Sequence, residues 1–254
     1  MDMPVNKFKR AIQAGTPQIG IWSALANNYV SEALAGAGFD WILLDTEHSP
    51  NELPMVMAQL QAVAAYPTQA VVRPAWNDLV LIKRFLDIGA QTLLVPFVQN
   101  AEEAKRAVRA VRYPPEGIRG VSGTTRANRF ARVPDYFKRA SEEVCLLVQL
   151  ETRVALGELE KIAAIDGIDG IFIGPADLAA DFGKLGTSGD PEVWTAISDA
   201  GKRIRKAGKP AGILAPVEAD ARRWLDEGFT FVSVGVDLGM LARGADALIK
   251  KFRP

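Results

Sequence analysis

The chain has 254 residues, 48% of them hydrophobic, and its 30 acidic side chains balance 30 basic ones. That length fits one large domain or two small ones, with ample apolar material for a core. A neutral balance without basic runs argues against nucleic acid or an anionic membrane surface as a partner.

The opening stretch "MDMPVNKFKRAIQAG" carries charges with no apolar block behind them, so it is not read as a signal peptide. No segment approaches the roughly 20 apolar residues of a membrane span. Short apolar runs then recur, each followed by a stretch with helical spacing. "QIGIWSA" precedes "NYVSEALAGAG", "WILLDTEH" precedes "LPMVMAQLQAVAA", and "QAVVRP" precedes "LVLIKRFLDIGA". "TLLVPFV" precedes "NAEEAKRAVRAVRY", and "CLLVQLE" precedes "VALGELEKIAAI". The single cysteine, Cys145, lies in that fifth run; one thiol can staple nothing, which sets a reducing, cytoplasmic location as the expectation. "GIFIGP" leads, after an insertion, to "PEVWTAISDAGKRIRKAG", "PAGILAP" to "EADARRWLDEG", and "FTFVSVGVD" to "LGMLARGADALIKKF".

Eight strand-then-helix pairs with near-continuously apolar strands predict a single (β/α)8 TIM barrel over residues 1–254. Glycines after the helices, as in "AGAGFD", "DIGAQT" and "DEGFTF", suit helix C-caps. The competing architecture, a doubly wound open sheet, normally places a G-x-G-x-x-G turn after its first strand, and "GIWSALANN" has none. Two stretches interrupt the regular period, 114–141 before strand five and 176–191 after strand six. Long segments on such a scaffold often carry function.

In this fold chemistry gathers at the C-terminal ends of the strands. Strand two ends in Asp45, Glu47 and His48, the only histidine; strand three ends in Arg73. Strand five offers Gln149 and Glu151, strand six is followed by Asp177, and strand eight ends in Asp237. Glu151 and Asp177 form a carboxylate pair suited to a hard divalent cation that keeps several waters. One histidine and one buried cysteine cannot build a zinc site of the three-histidine or cysteine-rich kind. For each acid the alternative reading is a helix cap or an arginine partner. His48 is a candidate proton acceptor whose tautomer Asp45 or another nearby acid would fix. Arg73 offers a planar fork to a carboxylate or enolate oxygen, or forms a rim ion pair with Glu47 or Glu151. No lysine lies within a strand, which argues against a Schiff-base mechanism. "LAPVEAD" and "VGVDLGM" are poor phosphate loops, so a carboxylate substrate is expected rather than a sugar phosphate.

The blocks "AGAGFDWILLDTEHSPN", "VVRPAWND", "FLDIGAQTLLVPFVQNAEEA", "RYPPEGIRGV", "VQLETRVAL" and "GIDGIFIGPADLAADFG" together resemble the HpcH/HpaI family of class II pyruvate aldolases. The resemblance spans about Gly20 to Phe252. It implies a barrel of the phosphoenolpyruvate/pyruvate type and metal-dependent, reversible cleavage of 4-hydroxy-2-keto acids to an aldehyde and pyruvate or an analogue such as hydroxypyruvate. The expected metal is Mg2+, Mn2+ or Co2+, and the metabolic setting is aromatic compound catabolism. By resemblance His48 is the catalytic base with Asp45 close by, Arg73 stabilises the enolate, and Glu151 and Asp177 hold the metal. Gln149 and the backbone around Ala176 contact the pyruvate end, and Asp87 raises the basicity of the histidine. Asp87 falls late in a helix, so it would reach His48 only across an interface, in line with the hexameric, trimer-based assembly of the family. Whether the C-terminal helix packs on its own barrel or is swapped onto a neighbour is left open. These motifs specify the pyruvate half of the substrate and not the aldehyde half. Two other readings stay in view. One is an acyl-CoA lyase like the citrate lyase β relatives, which would want a basic groove for the nucleotide. The other is a non-catalytic keto-acid-binding barrel.

Overall fold

The strands are apolar on both faces because each face meets a different core. Along Trp41–Asp45, Trp41 and Leu43 join the cluster inside the barrel, while Ile42 and Leu44 join the larger one beneath the helices. The same period of two repeats in Cys145–Leu150, with Cys145 and Leu147 inside and Leu146, Val148 and Leu150 outside. In the computed structural model, which describes residues 1–187 and 189–253, eight such strands close in sequence order into one parallel barrel. They are β1 (Gln18–Ser23), β2 (Trp41–Asp45), β3 (Gln69–Arg73), β4 (Thr92–Val95), β5 (Cys145–Leu150), β6 (Gly170–Ile173), β7 (Ala211–Leu214) and β8 (Phe231–Val236), and β8 pairs back onto β1. Ser188, inside the second interruption, and Pro254 lie outside the described residues.

Around the barrel run α2 (Asn28–Ala35), α3 (Leu53–Val63), α4 (Leu79–Asp87), α5 (Ala101–Val111), α10 (Pro191–Lys206) and α11 (Glu218–Asp226). A helix that the hydrophobic pattern does not announce, α1 (Lys7–Gln13), precedes the first strand. Asn6 caps it by accepting from Lys9 N–H, and Phe8 and Ile12, one turn apart, enter the inner core. The Phe8 ring lies 5.8 Å from both Trp41 and Phe231, so α1 stoppers the N-terminal end of the barrel. Two inward glycines make room for those rings. A Cβ on Gly20 would fall 2.1 Å from Trp41, and one on Gly212 2.0 Å from Phe231. The open end is therefore the C-terminal mouth.

Three expectations are refined. The helix after β5 breaks at Glu158 into α7 (Arg153–Gly157) and α8 (Leu159–Ala163). The first interruption contains α6 (Tyr136–Glu143) and connects a helix to the start of β5. It binds the residues that lead into β4, with Ala127 N–H on Asp87 O and Arg126 on Ile88 O, so it lies at the stoppered end, away from the mouth. The second interruption opens with α9 (Pro175–Asp181), directly above β6. The last helix, α12 (Asp237–Ile249), buries only Asp237 and leaves Leu238, Met240, Leu241, Leu248 and Ile249 exposed. No helix among the described residues is long and apolar enough to cross a membrane.

Phe8→Ala removes a ring with 0% exposure from the stopper. It is expected to lower unfolding free energy by about 3–5 kcal/mol in denaturant titrations, the usual range for a buried phenylalanine; a loss under about 1 kcal/mol would show that α1 does not close the core.

Candidate active site

The inward parity of the strands changes from apolar to polar near the mouth. After Trp41 and Leu43 comes Asp45, after Val71 comes Arg73, and after Cys145 and Leu147 comes Gln149. Barrel closure sets Asp45 and Arg73 opposite each other in register. Arg73 donates from Nε to Asp45 Oδ1 at 2.8 Å and from Nη2 to Asp45 Oδ2 at 2.6 Å, with 6% and 2% of these two residues exposed. The Trp22 indole N–H donates to the same carboxylate at 3.1 Å, and the guanidinium lies 4.7 Å from the centre of the Trp22 ring. Burial works against the charge on Asp45, but the Arg73 hydrogen bonds and charge, helped by the Glu47 amide and Trp22, hold its pKa below the ordinary value. Thr46 ties the two strand ends together by donating from backbone and hydroxyl to Arg73 O.

Asp45 thus does not serve His48 within the chain. Its oxygens are committed to Arg73, Trp22 and the Glu47 amide. The acid beside His48 is Glu47, 4.0 Å from Nε2, and the imidazole is 65% exposed at the mouth. Glu47 Oε2 also lies 2.8 Å from Arg73 Nη1, but off the N–H direction, so it is charge-paired without a hydrogen bond.

Glu151, 2% exposed, stands just beyond β5. Gln149 Nε2 donates to its Oε2 at 2.5 Å and Phe97 N–H to its Oε1 at 2.9 Å. The close fit depends on Gly174, where a Cβ would fall 2.4 Å from Glu151 Oε2. Asp177 and Ala176 occupy the exposed first turn of α9. Burial pushes both Glu47 and Glu151 up to about 7. At Glu47 the Arg73 charge opposes it while Asp45 and Asp177 add to it. At Glu151 the Gln149 and Phe97 hydrogen bonds oppose it while Asp177 and Glu47 add to it. Asp87 is not brought to this site: it ends α4 near the stoppered end and pairs with Arg119 at 3.0 Å. Asp237 is structural, accepting from Ser23 Oγ and from the Ala24 and Leu25 amides, which anchors the loop after β1.

A divalent cation fits this donor set. Glu151 and Asp177 are hard oxygen donors, crowded carboxylates gain from a positive charge, and Gln149 Oε1 is buried without a hydrogen-bond partner. Among the described residues no three His, Cys, Asp or Glu side chains form a ready-made cage. The ion would complete its shell with water and substrate oxygens, as Mg2+ characteristically does. The sequence pattern gives Glu47 only as a possible ion-pair partner of Arg73, which it is, and misses Trp22, Phe97 and Gly174. Inward parity on β1 would flag Trp22, and Gly before Pro at a strand end would flag Gly174.

A closed parallel barrel whose mouth gathers a buried arginine and several carboxylates defines an α/β-barrel protein with a charged site at its open end. The profile of the HpcH/HpaI aldolase/citrate lyase family matches residues 18–244. The chain is 60% identical over 252 residues to a pyruvate aldolase of Rhizobium etli, covering 99% of each. It is also 60% identical over 248 residues to a 4-hydroxy-2-oxo-heptane-1,7-dioate aldolase of Klebsiella pneumoniae, covering 97% of this chain and 94% of that one. A crystal structure of an HpcH/HpaI aldolase/citrate lyase family protein from Burkholderia cenocepacia superposes with a TM-score of 0.93 at 38% identity, covering 98% and 100% of the two chains. The chain belongs to the HpcH/HpaI aldolase/citrate lyase family and is a lyase.

Two outcomes test the site. In the unfolded chain Glu47 and Glu151 titrate near 4.5, in the folded one at about 7, so the folded state holds extra protons between these values and stability falls as pH rises through that window. With EDTA present, the melting midpoint is expected to drop from about pH 5 to about pH 8, by about 2–4 °C per kcal/mol lost, and Mn2+ should restore it more at the higher pH. Gly174→Ala is expected to push the Glu151 carboxylate aside and weaken Mn2+ binding in calorimetry by about 10–100-fold, the range for a residue that supports a ligand, with circular dichroism unchanged.

Proposed function

We propose that the chain is a metal-dependent, class II aldolase that reversibly cleaves 4-hydroxy-2-keto acids to an aldehyde and pyruvate, or a pyruvate analogue such as hydroxypyruvate. The observation that carries this reading is the Arg73 fork paired with Glu47, which shares the field of Glu151 and Asp177 at the open end of the barrel. The names of the 60% identical relatives support it, since one is a pyruvate aldolase and the other an aldolase for a 4-hydroxy-2-keto diacid.

Glu151 and Asp177 would hold the cation, Mg2+, Mn2+ or Co2+. Such an ion supplies Lewis-acid polarisation of a carbonyl and positive charge for an enolate oxygen. Gln149 fixes one Glu151 oxygen through its amide N–H, and the Ala176 amide, in the first turn of α9, donates to the pyruvate carboxylate. In cleavage His48 takes the proton of the C4 hydroxyl, directly or through a water. The C3–C4 bond breaks, its electron pair passes into the 2-keto group as an enolate, the aldehyde leaves, and a proton returned from His48 or water to C3 gives pyruvate. Asp45 uses only Nε and one Nη2 proton of Arg73, and Glu47 stands beside Nη1 without a hydrogen bond. An enolate oxygen that takes the place of Glu47 would therefore meet the Nη1 protons. Condensation runs the same steps backwards. No lysine is used as a Schiff base. In a trimer-based assembly, a trimer or a hexamer made of two, Asp87 of a neighbouring copy would orient His48, and α12 would lay its exposed apolar side on the adjacent barrel.

His48→Ala is expected to lower turnover by about 10²–10⁴, the usual share of a positioned acid–base group. In D2O the wild type should exchange the pyruvate methyl protons, EDTA should stop the exchange, and borohydride with pyruvate should trap no adduct. Exchange that survives EDTA, or a trapped lysine, would reject the mechanism.

A further inference from the structure

Two aromatic rings lie open to solvent at the rim, between the strand that carries Arg73 and the one that leads to Glu151. Trp76 follows β3 and Phe97 follows β4. Their rings stack with centroids 5.5 Å apart and planes 29° apart, and they keep 53% and 36% of their surface exposed. Phe97 has φ +53°, a region that a bulky residue enters only when its surroundings force it. The forcing groups belong to the site. Phe97 N–H donates to Glu151 Oε1 at 2.9 Å, and the next amide, Val98, donates to Gln149 O at 3.1 Å. Glycine or asparagine would make both bonds with less strain, so the backbone does not explain a phenylalanine here. Core packing does not explain it either, because Phe97 joins none of the buried hydrophobic clusters. What remains is the ring itself, fixed against Trp76 by the same contact that fixes Glu151.

We infer that the Trp76–Phe97 pair receives the aldehyde half of the substrate and selects aldehydes with an aromatic or apolar tail over small hydroxylated ones. This deepens the aldolase reading and rests on it. The pyruvate half is read by charge, through Arg73, Glu151 and Asp177. A flat, polarisable surface beside those groups offers an aldehyde tail contact area and ring stacking without competing for them. The rings sit on rigid loops at two neighbouring strand ends, so selectivity is built into the mouth rather than created by closure.

The test uses the metal-loaded full chain with pyruvate and two probe aldehydes, benzaldehyde and glyceraldehyde. The readout is the ratio of their kcat/KM values, which a general loss of active enzyme leaves unmoved. Phe97→Asn keeps a residue that tolerates positive φ and retains the amide to Glu151; Trp76→Ala removes the other ring. Each is expected to lower the benzaldehyde-to-glyceraldehyde ratio by about tenfold, the equivalent of losing one aromatic contact. An unchanged ratio in both variants overturns the inference. So does an equal loss for both aldehydes accompanied by slower sedimentation, which would assign the rings to a contact between copies. Pyruvate proton exchange in D2O, run on the wild type, separates the two levels. Exchange without a ratio change sinks only the inference, whereas no exchange sinks the aldolase reading and the inference with it.

Discussion

The mouth of the barrel is organised by one buried ion pair, Arg73 with Asp45. Both charges are almost wholly out of water, and the geometry that makes this tolerable is bidentate, with the Trp22 indole and the Glu47 amide adding further hydrogen bonds. Removing either partner would strand the other charge in a dry barrel, a loss on the order of 3–5 kcal/mol. The pair also sets the positions of its neighbours. Thr46 is tied to the Arg73 carbonyl, Glu47 is drawn to the free side of the guanidinium, and His48 follows at the rim.

Around that pair the charges do not balance. The mouth holds Arg73 with Asp45, Glu47, Glu151 and Asp177, one cation with four acids, and the half-buried Glu47 and the buried Glu151 respond with raised affinity for protons. A divalent cation would answer the same imbalance without a proton, so in the proposed function metal binding and protonation would compete at this site. The stopper of Phe8, Trp41 and Phe231 below and the Trp22–Phe172 contact above it keep the barrel interior apolar, so the buried Asp45, Arg73 and Glu151 act in a weakly screening environment.

Two features are incomplete in the single chain. The outer side of α12 exposes a row of large apolar residues, and Asp87, matched by resemblance to a role beside the histidine, sits at the opposite end of its own barrel against the fully buried Arg119. The proposed assembly would address both, with neighbouring copies covering α12 and bringing an Asp87 to a mouth.

Much of this was legible along the sequence. Apolar runs alternating with helical spacing give eight parallel strands, because period and length are local properties of the chain. The polar residues at strand ends, Asp45, His48, Arg73, Gln149, Glu151 and Asp177, stand out for the same reason. Tertiary structure alone decided their partners. Asp45 and Arg73 meet across 28 residues only because β2 and β3 pair in one register, and that pairing takes Asp45 away from His48. It also decided that α1 is a stopper, that the long segment before β5 lies at the closed end, and that Phe97 is strained toward Trp76. None of these has a periodic signal, since each depends on which distant surfaces the closed barrel brings together.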